Sequence, residues 1–352
     1  MSSKIKDNSR LVTHEEMKLK TSGKLFESRC ENNADNISWN EIFFAILQTH
    51  ILIYKEEMKM NKIILGMFML AAACNTTTTP PAQAASQQEM RFHCENDTTE
   101  INELLKKGFK SGLKTPNELV SFYAHELLGR PYVAHTLEGE KELLTINIDE
   151  LDCTTFVETL YALTRTTLNG RYSWRDYAKN LENLRYRGGK MDGYASRLHY
   201  ISDWSIDNTS RGNLKEITAD IDGVQYKVKN INFMTTHRDL YPALADSATF
   251  ERVRSSEIGY RQHRFPYIKK EYLNSKKVKK AVQSGDFVGL VTKKEGLDVS
   301  HMGIIEKDKN GEIYMLDASM KGMEVRLEKQ NMSEMLRSSK SNIGIRVWRM
   351  TK

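Results

Sequence analysis

The stretch Leu151-Asp152-Cys153-Thr154-Thr155-Phe156-Val157-Glu158 decides more of the fold than any other part of the chain. Apolar residues follow the cysteine at Phe156, Val157, Leu160 and Tyr161, the spacing of the inward stripe of an amphipathic helix. Cys153 therefore falls in the first helical turn. Unsatisfied N–H groups and the helix dipole favour negative charge there, and the thiolate is the nucleophilic form of a cysteine. Far downstream, Ser300-His301-Met302-Gly303-Ile304-Ile305 sets a histidine at the mouth of an apolar strand. A nucleophile on a helix and a base on a strand are two of the three parts that acyl transfer by a thiol requires.

The third part comes from the turn that follows. His301–Ile305 and Ile313–Asp317 read as two strands joined through Asp308-Lys309-Asn310-Gly311. If the loop is Lys309, Asn310 and Gly311, with Gly311 left-handed, Asp308 pairs with Glu312 and Gly303 with Asp317. Asp317 then shares a face with His301 at the diagonal position, about 7–8 Å away between backbones, which an Asp–His contact spans. A loop of two or four residues would put Asp317 on the other face. Cys153, His301 and Asp317 are thus the expected nucleophile, base and orienting group.

Around this core the chain has a clear order. Ile101–Gly112, Pro116–Leu128 and Trp174–Arg185 carry helical periodicity, and beyond Asn208 the pattern turns to strands, with Val224–Phe233 and Phe287–Val291 the clearest. A helical first half followed by an antiparallel sheet defines an α+β domain. No repeat is evident.

The first quarter reads differently. Met60-Asn61-Lys62 opens an apolar run, Ile63–Ala73, that ends on small residues before Cys74. The run is too short to span a bilayer and resembles a bacterial lipoprotein signal, with Cys74 as the lipidated first residue of the mature protein. Residues 1–59 then form an upstream extension from a start codon called too early, and 60–73 the signal peptide. Residues 74–94 form a lipidated flexible tether rich in Thr, Pro, Ala and Gln, and 95–352 the catalytic domain. The expected location is the cell envelope, facing the periplasm and anchored to a membrane, the outer one by preference. A net charge of +6 is too mild to argue for nucleic acid. No His-x-x-x-His or Cys-x-x-Cys spacing asks for a metal, and no cofactor is expected. Of the four cysteines, Cys30 falls in the extension and Cys74 at the end of the signal; Cys94 and Cys153 remain, and a disulfide between them is the structural alternative to a nucleophilic Cys153.

Five segments in order resemble the NlpC-like cysteine amidases, and among them the N-acetylmuramoyl-L-alanine amidase-like family. They are Gly129-Arg130-Pro131-Tyr132, the Cys153 segment, Gly193–Asn208, Asn232-Phe233-Met234 and Gly296–Gly303. The resemblance implies a papain-like core acting on peptidoglycan fragments, small muropeptides and possible anhydro-muropeptides among them. It implies cleavage of the amide between N-acetylmuramic acid and L-Ala, and it brings Tyr132 near the thiol as an oxyanion partner. Arg197, His199, Tyr200 and Trp204 become substrate-binding candidates, with Arg197 for a stem-peptide carboxylate and the aromatics for a sugar face. Asp152 and Ser300, flanking the catalytic pair, join them. Two alternatives stand beside this reading. One is an endopeptidase cutting between D-Glu and the diamino acid, with Asp152 holding a free amine. The other is a lipoprotein that binds muropeptides without cleaving them. Two positions depart from the family pattern: Leu316-Asp317-Ala318-Ser319 has Asp where His is usual, and His135 stands where a Gly is expected.

Overall fold

The Cys153 helix begins where its sequence says it should, because two residues cap it reciprocally. Asp152 Oδ1 accepts the backbone N–H groups of Thr154 and Thr155 at 2.9 and 2.7 Å, and Thr155 Oγ1 accepts the Asp152 N–H at 2.8 Å. The computed structural model in which this is seen describes residues 89–352. The upstream extension, the apolar leader, Cys74 and the tether as far as residue 88 lie outside the described residues.

In chain order the described part runs β1 (Met90–Phe92), α1 (Asp97–Lys110), α2 (Pro116–Glu126), β2 (Leu144–Ile146), α3 (Cys153–Leu168) and α4 (Trp174–Arg185). Then follow α5 (Ile201–Ser210), β3 (Leu214–Glu216), β4 (Val224–Lys229), α6 (Phe233–Thr236), α7 (Ser247–Ile258), β5 (His263–Lys269) and α8 (Lys276–Ala281). The chain closes with β6 (Phe287–Thr292), β7 (Val299–Lys307), β8 (Ile313–Ser319), β9 (Glu324–Leu327), α9 (Met332–Ser338) and β10 (Asn342–Met350). Strands β4-β5-β10-β6-β7-β8-β9 lie side by side in that order, and β3 pairs with β10, all antiparallel. The architecture is α+β, as the order of helical and strand patterns required.

The folded part starts earlier than Glu95. Met90–Phe92 pairs in parallel with Leu144–Ile146, and Arg91 donates to the carbonyls of Thr136 and Glu138 at 2.8 and 2.9 Å. A three-residue strand leaves too little periodicity to be read from sequence, so residues 90–92, expected in the tether, belong to the fold.

The sheet is covered on both faces. One face joins α1, α2, α3 and α4 in a single core through residues such as Met302, Ile304, Leu316 and Trp348. The other carries Val288, Leu290, Ile305 and Met315 against α8 and α9. Helix α3 packs on β7 and β8 and is buried along nearly its whole length from Thr155 to Thr164. Continuous burial of the central strands explains the unbroken apolar run at β6.

Two polar devices fix the elements that carry the site. Lys229 is buried and donates to the carbonyls of Thr292, Lys294 and Leu297 at 3.0, 2.5 and 2.6 Å, which ties down the loop between β6 and β7. Arg185 on α4 reaches Glu158 on α3 at 2.7 Å and the Thr145 carbonyl on β2 at 2.8 Å, with both charged side chains under 5% exposed. Removing one partner strands the other charge in the core. Arg185→Met should therefore destabilise the protein by roughly 3–5 kcal/mol. The double change Glu158→Leu with Arg185→Met should recover most of that loss. Urea unfolding of the three chains measures both; equal stability of Arg185→Met and the parent would show that the pair does not hold α3 to α4.

Candidate active site

The β7–β8 hairpin closes on three loop residues. The Asp308 N–H donates to the Glu312 carbonyl at 3.1 Å, and that of Gly311 to the Asp308 carbonyl at 2.9 Å. Gly311 has φ +79°, the left-handed conformation that favours glycine. Ile304 pairs with Leu316 and Lys307 with Ile313, so the register is the one that sets His301 and Asp317 on a common face. The result is a hydrogen bond of 2.5 Å between His301 Nε2 and Asp317 Oδ2, with the Asp317 side chain 3% exposed. Gly303 makes this approach possible: a Cβ there would lie 2.7 Å from the Leu316 carbonyl oxygen and 2.9 Å from Asp317 Cβ.

A register shift between Leu290 and Val291 leaves Ser300 as the extra residue of a β-bulge immediately before His301. Bulges re-aim neighbouring side chains and recur beside active sites. Ser300 Oγ contacts Asn342 Oδ1 at 2.8 Å across the strand, so its observed partner is structural rather than a group in the cleft.

Cys153 opens α3 and acts on His301 from the other side. Burial disfavours the imidazolium, but the charges of Cys153 and Asp317 and hydrogen bonds to both outweigh it, holding the ring well above the ordinary histidine value. With Nε2 on Asp317, Nδ1 is the ring atom left for sulfur. Tyr132 completes the cluster. Its segment bridges to Leu151 in parallel, and its hydroxyl is pushed upward by burial and then by the negative charges of Cys153 and Asp152. The phenol thus remains a proton donor beside the sulfur. Cys94 and Cys153 are both free thiols, so the disulfide alternative does not hold.

The substrate-binding candidates divide. Asp152 Oδ1 is taken by the helix cap. Arg197 is 6% exposed and already neutralised, with Nη2 2.8 Å from Glu138 Oε1 and Nε 3.5 Å from Glu142 Oε1. His199 Nε2 meets the Tyr194 carbonyl at 2.9 Å, and burial followed by the charge of Arg197 brings its pKa down to about 3. The ring is neutral and donates from Nε2. Tyr200 is buried, donating to Glu257 Oε1 and accepting from the Met234 N–H, each at 2.7 Å. Trp204 is 1% exposed and packs edge-to-face on Trp348 with ring centroids 5.9 Å apart. Neither Tyr200 nor Trp204 offers a face to a sugar, and Arg197 offers no unpaired charge to a carboxylate; these expectations are corrected by burial.

What the sequence did not disclose is the acidic pair Glu138 and Glu142. Both sit in the loop after Tyr132, and both act on Arg197. Isolated glutamates in a loop carry no periodicity, so nothing in the chain marked them. His135 in the same loop has φ +64°. A glycine adopts that backbone without strain, which explains why the related pattern has one there.

With this geometry in view, the chain belongs to the N-acetylmuramoyl-L-alanine amidase-like family: the AmiA-like family model matches residues 123–345. The chain is similar to the crystal structure of an N-acetylmuramoyl-L-alanine amidase from Bacteroides uniformis ATCC 8492. Identity is 35% and the TM-score 0.64, over 67% of this chain and 99% of that one. It is also similar to a Bacteroides fragilis structure carrying a xylanase name, at 38% identity and TM-score 0.61, over 64% and 99% of the two chains. A Legionella pneumophila protein at 20% identity and TM-score 0.56, over 72% and 95%, shares the fold. No functionally curated protein matches the chain.

The charge balance at His301 has a measurable sign. Because its folded-state pKa is raised, its contribution to stability is complete below the unfolded value and is lost as pH rises through the folded one. NMR of the ring should show titration well above 6.5. Asp317→Asn should move it down and remove the corresponding loss of stability on the alkaline side. A ring titrating at the ordinary value in the parent chain would contradict this arrangement.

Proposed function

We propose that the protein is a cysteine-dependent amidase that hydrolyses the bond between N-acetylmuramic acid and L-Ala in muropeptides, anhydro-muropeptides included. The observation that carries this reading is the His301–Asp317 hydrogen bond of 2.5 Å on a strand packed against the Cys153 helix. A cysteine at a helix start, a histidine on the adjoining antiparallel sheet and an acceptor on the next strand match a papain-like, NlpC-like arrangement. Membership of the amidase-like family supports the cell-wall substrate.

In the proposed reaction the Cys153 sulfur attacks the lactyl carbonyl. The oxyanion of the tetrahedral intermediate takes hydrogen bonds from the Cys153 N–H, which the helix cap leaves to one side, and from the Tyr132 hydroxyl. His301 passes its proton to the departing L-Ala amine, leaving a thioester on Cys153. His301 then takes a proton from the deacylating water. Asp317 holds the ring by Nε2 throughout, so the exchange with sulfur and substrate runs through Nδ1. Asp317 stands in the place of the usual histidine, and either residue can accept from Nε2–H.

The xylanase name attached to one similar structure finds no support at this site. Glycoside hydrolysis calls for two carboxylates flanking the scissile bond, whereas here one aspartate, Asp317, is bound to His301 and the other, Asp152, caps the Cys153 helix. The endopeptidase alternative loses part of its basis, because Asp152 Oδ1 caps α3. A non-catalytic binding role leaves the Cys153–His301 pair without a purpose. Lipidation at Cys74 and a periplasm-facing position remain part of the proposal, supported by the leader sequence; palmitate incorporation abolished by Cys74→Ala would test them.

Mass spectrometry of a defined muropeptide after incubation tests the activity. The expected products are a stem peptide with free L-Ala and the unsubstituted muramyl sugar. Cys153→Ala and His301→Ala should each lower turnover by three or more orders of magnitude while the thermal unfolding curve stays cooperative. Undiminished turnover by Cys153→Ala would remove the cysteine mechanism, and cleavage after D-Glu would replace the amidase reading with the endopeptidase one.

A further inference from the structure

Away from the Cys153 cleft, the junction of β1 and α1 meets the loop that leads from β2 into the cysteine helix. Three ligand atoms converge there: Cys94 Sγ, one carboxylate oxygen of Asp97 and one of Asp149, all within 4.8 Å of one another. Each carboxylate is held by one oxygen and leaves the other uncommitted to the backbone. Asp97 Oδ2 accepts the Cys94 N–H at 2.9 Å, while Oδ1 is buried without a hydrogen-bond partner in a residue 0% exposed. Asp149 Oδ1 accepts from Arg130 at 2.6 Å, while Oδ2 accepts the Cys94 S–H at 3.3 Å, the contact that a cation would take over. The loop itself is rigid, since Asn147 Oδ1 accepts the N–H groups of Asp149 and Glu150 at 3.0 and 2.9 Å. A buried carboxylate oxygen with no donor is unfavourable unless a proton or a cation meets it.

We propose that Cys94, Asp97 and Asp149 form a structural site for a divalent cation of the zinc type. One thiolate with two carboxylates suits a borderline-soft ion, whereas calcium and magnesium prefer oxygen shells throughout. Around a tetrahedral zinc, sulfur and oxygen ligands lie about 3.5 Å apart. The 3.3 Å between Cys94 Sγ and Asp149 Oδ2 already matches that edge. Arg130 on Asp149 Oδ1 and the Cys94 N–H on Asp97 Oδ2 orient the two carboxylates, as second-shell partners do in metal sites. The fourth position falls to water. Binding breaks the Cys94 S–H bond: the proton leaves to solvent, the sulfur electron pair goes to the metal, and no oxidation state changes. The ion would strap the first described strand to the loop preceding Asp152, stiffening the approach to the helix that carries the nucleophile.

Cobalt is the probe, because a thiolate ligand gives it a charge-transfer absorption. The full chain with Cys30, Cys74 and Cys153 replaced by Ser, leaving Cys94 as its one thiol, is stripped with chelator and titrated with Co²⁺. The expected result is that absorption, saturating at one ion per chain, lost in the additional Asp97→Asn and Asp149→Asn variants. Zinc should raise the Tm of the Cys94-only chain and leave that of the Asp97→Asn variant unmoved. In the unsubstituted chain, zinc should protect Cys94 from maleimide by tenfold or more in rate, read by peptide mass. Absence of the cobalt absorption, absorption unchanged in both Asn variants, or alkylation of Cys94 unaffected by zinc would each overturn the site.

Discussion

The register of one hairpin is the constraint on which the candidate site depends. Side chains alternate along a strand, so a slip of a single residue between β7 and β8 would carry Asp317 to the opposite face from His301. Three features prevent the slip: the left-handed Gly311 that closes the loop, the bare Gly303 that lets β8 approach, and the apolar pairs beginning at Ile304 and Leu316. With the register fixed, the imidazole is anchored at Nε2 before any substrate arrives. The bulge at Ser300 then sets the direction in which the anchored ring projects.

Cys153, the proposed nucleophile, is placed by a separate mechanism that works against itself in part. Capping by Asp152 starts α3 at Cys153, which gives the sulfur the positive end of the helix. The same carboxylate brings a negative charge beside that sulfur. Protonated His301, held so by Cys153 and Asp317 together, supplies the compensating positive charge. The site therefore sets the His301 ring between the Asp317 carboxylate and Cys153, seated between a helix start and a strand. Buried supports keep the two elements in place: Glu158 with Arg185 beneath α3, and Lys229 under the loop that delivers β7.

Much of this was legible in the chain because it obeys local rules. The periodicity after Cys153, the match of α4 to Trp174–Arg185 and the hairpin parity all follow from spacing and turn chemistry. What failed depended on tertiary burial. Arg197, Tyr200 and Trp204 are residue types common at binding surfaces, and their sequence neighbourhood matched a recognition segment. Arg197 instead meets two glutamates from a distant loop, Tyr200 meets Glu257, and Trp204 packs on Trp348 from the last strand. None of those partners lies within helical or strand spacing, so no pattern in the segment announces them. β1 escaped for the opposite reason: it is too short to show a pattern at all.

The most direct measurement is rapid acid quench of the enzyme during turnover of a muropeptide, followed by peptide mass spectrometry. A thioester intermediate on Cys153 carrying the muramyl-lactyl group is the predicted result, with Cys94 unmodified. An adduct carrying the L-Ala–D-Glu peptide instead would contradict the assigned bond. Turnover with no covalent intermediate on Cys153 at any quench time, in a chain whose Cys153→Ala variant remains active, would contradict the nucleophile itself.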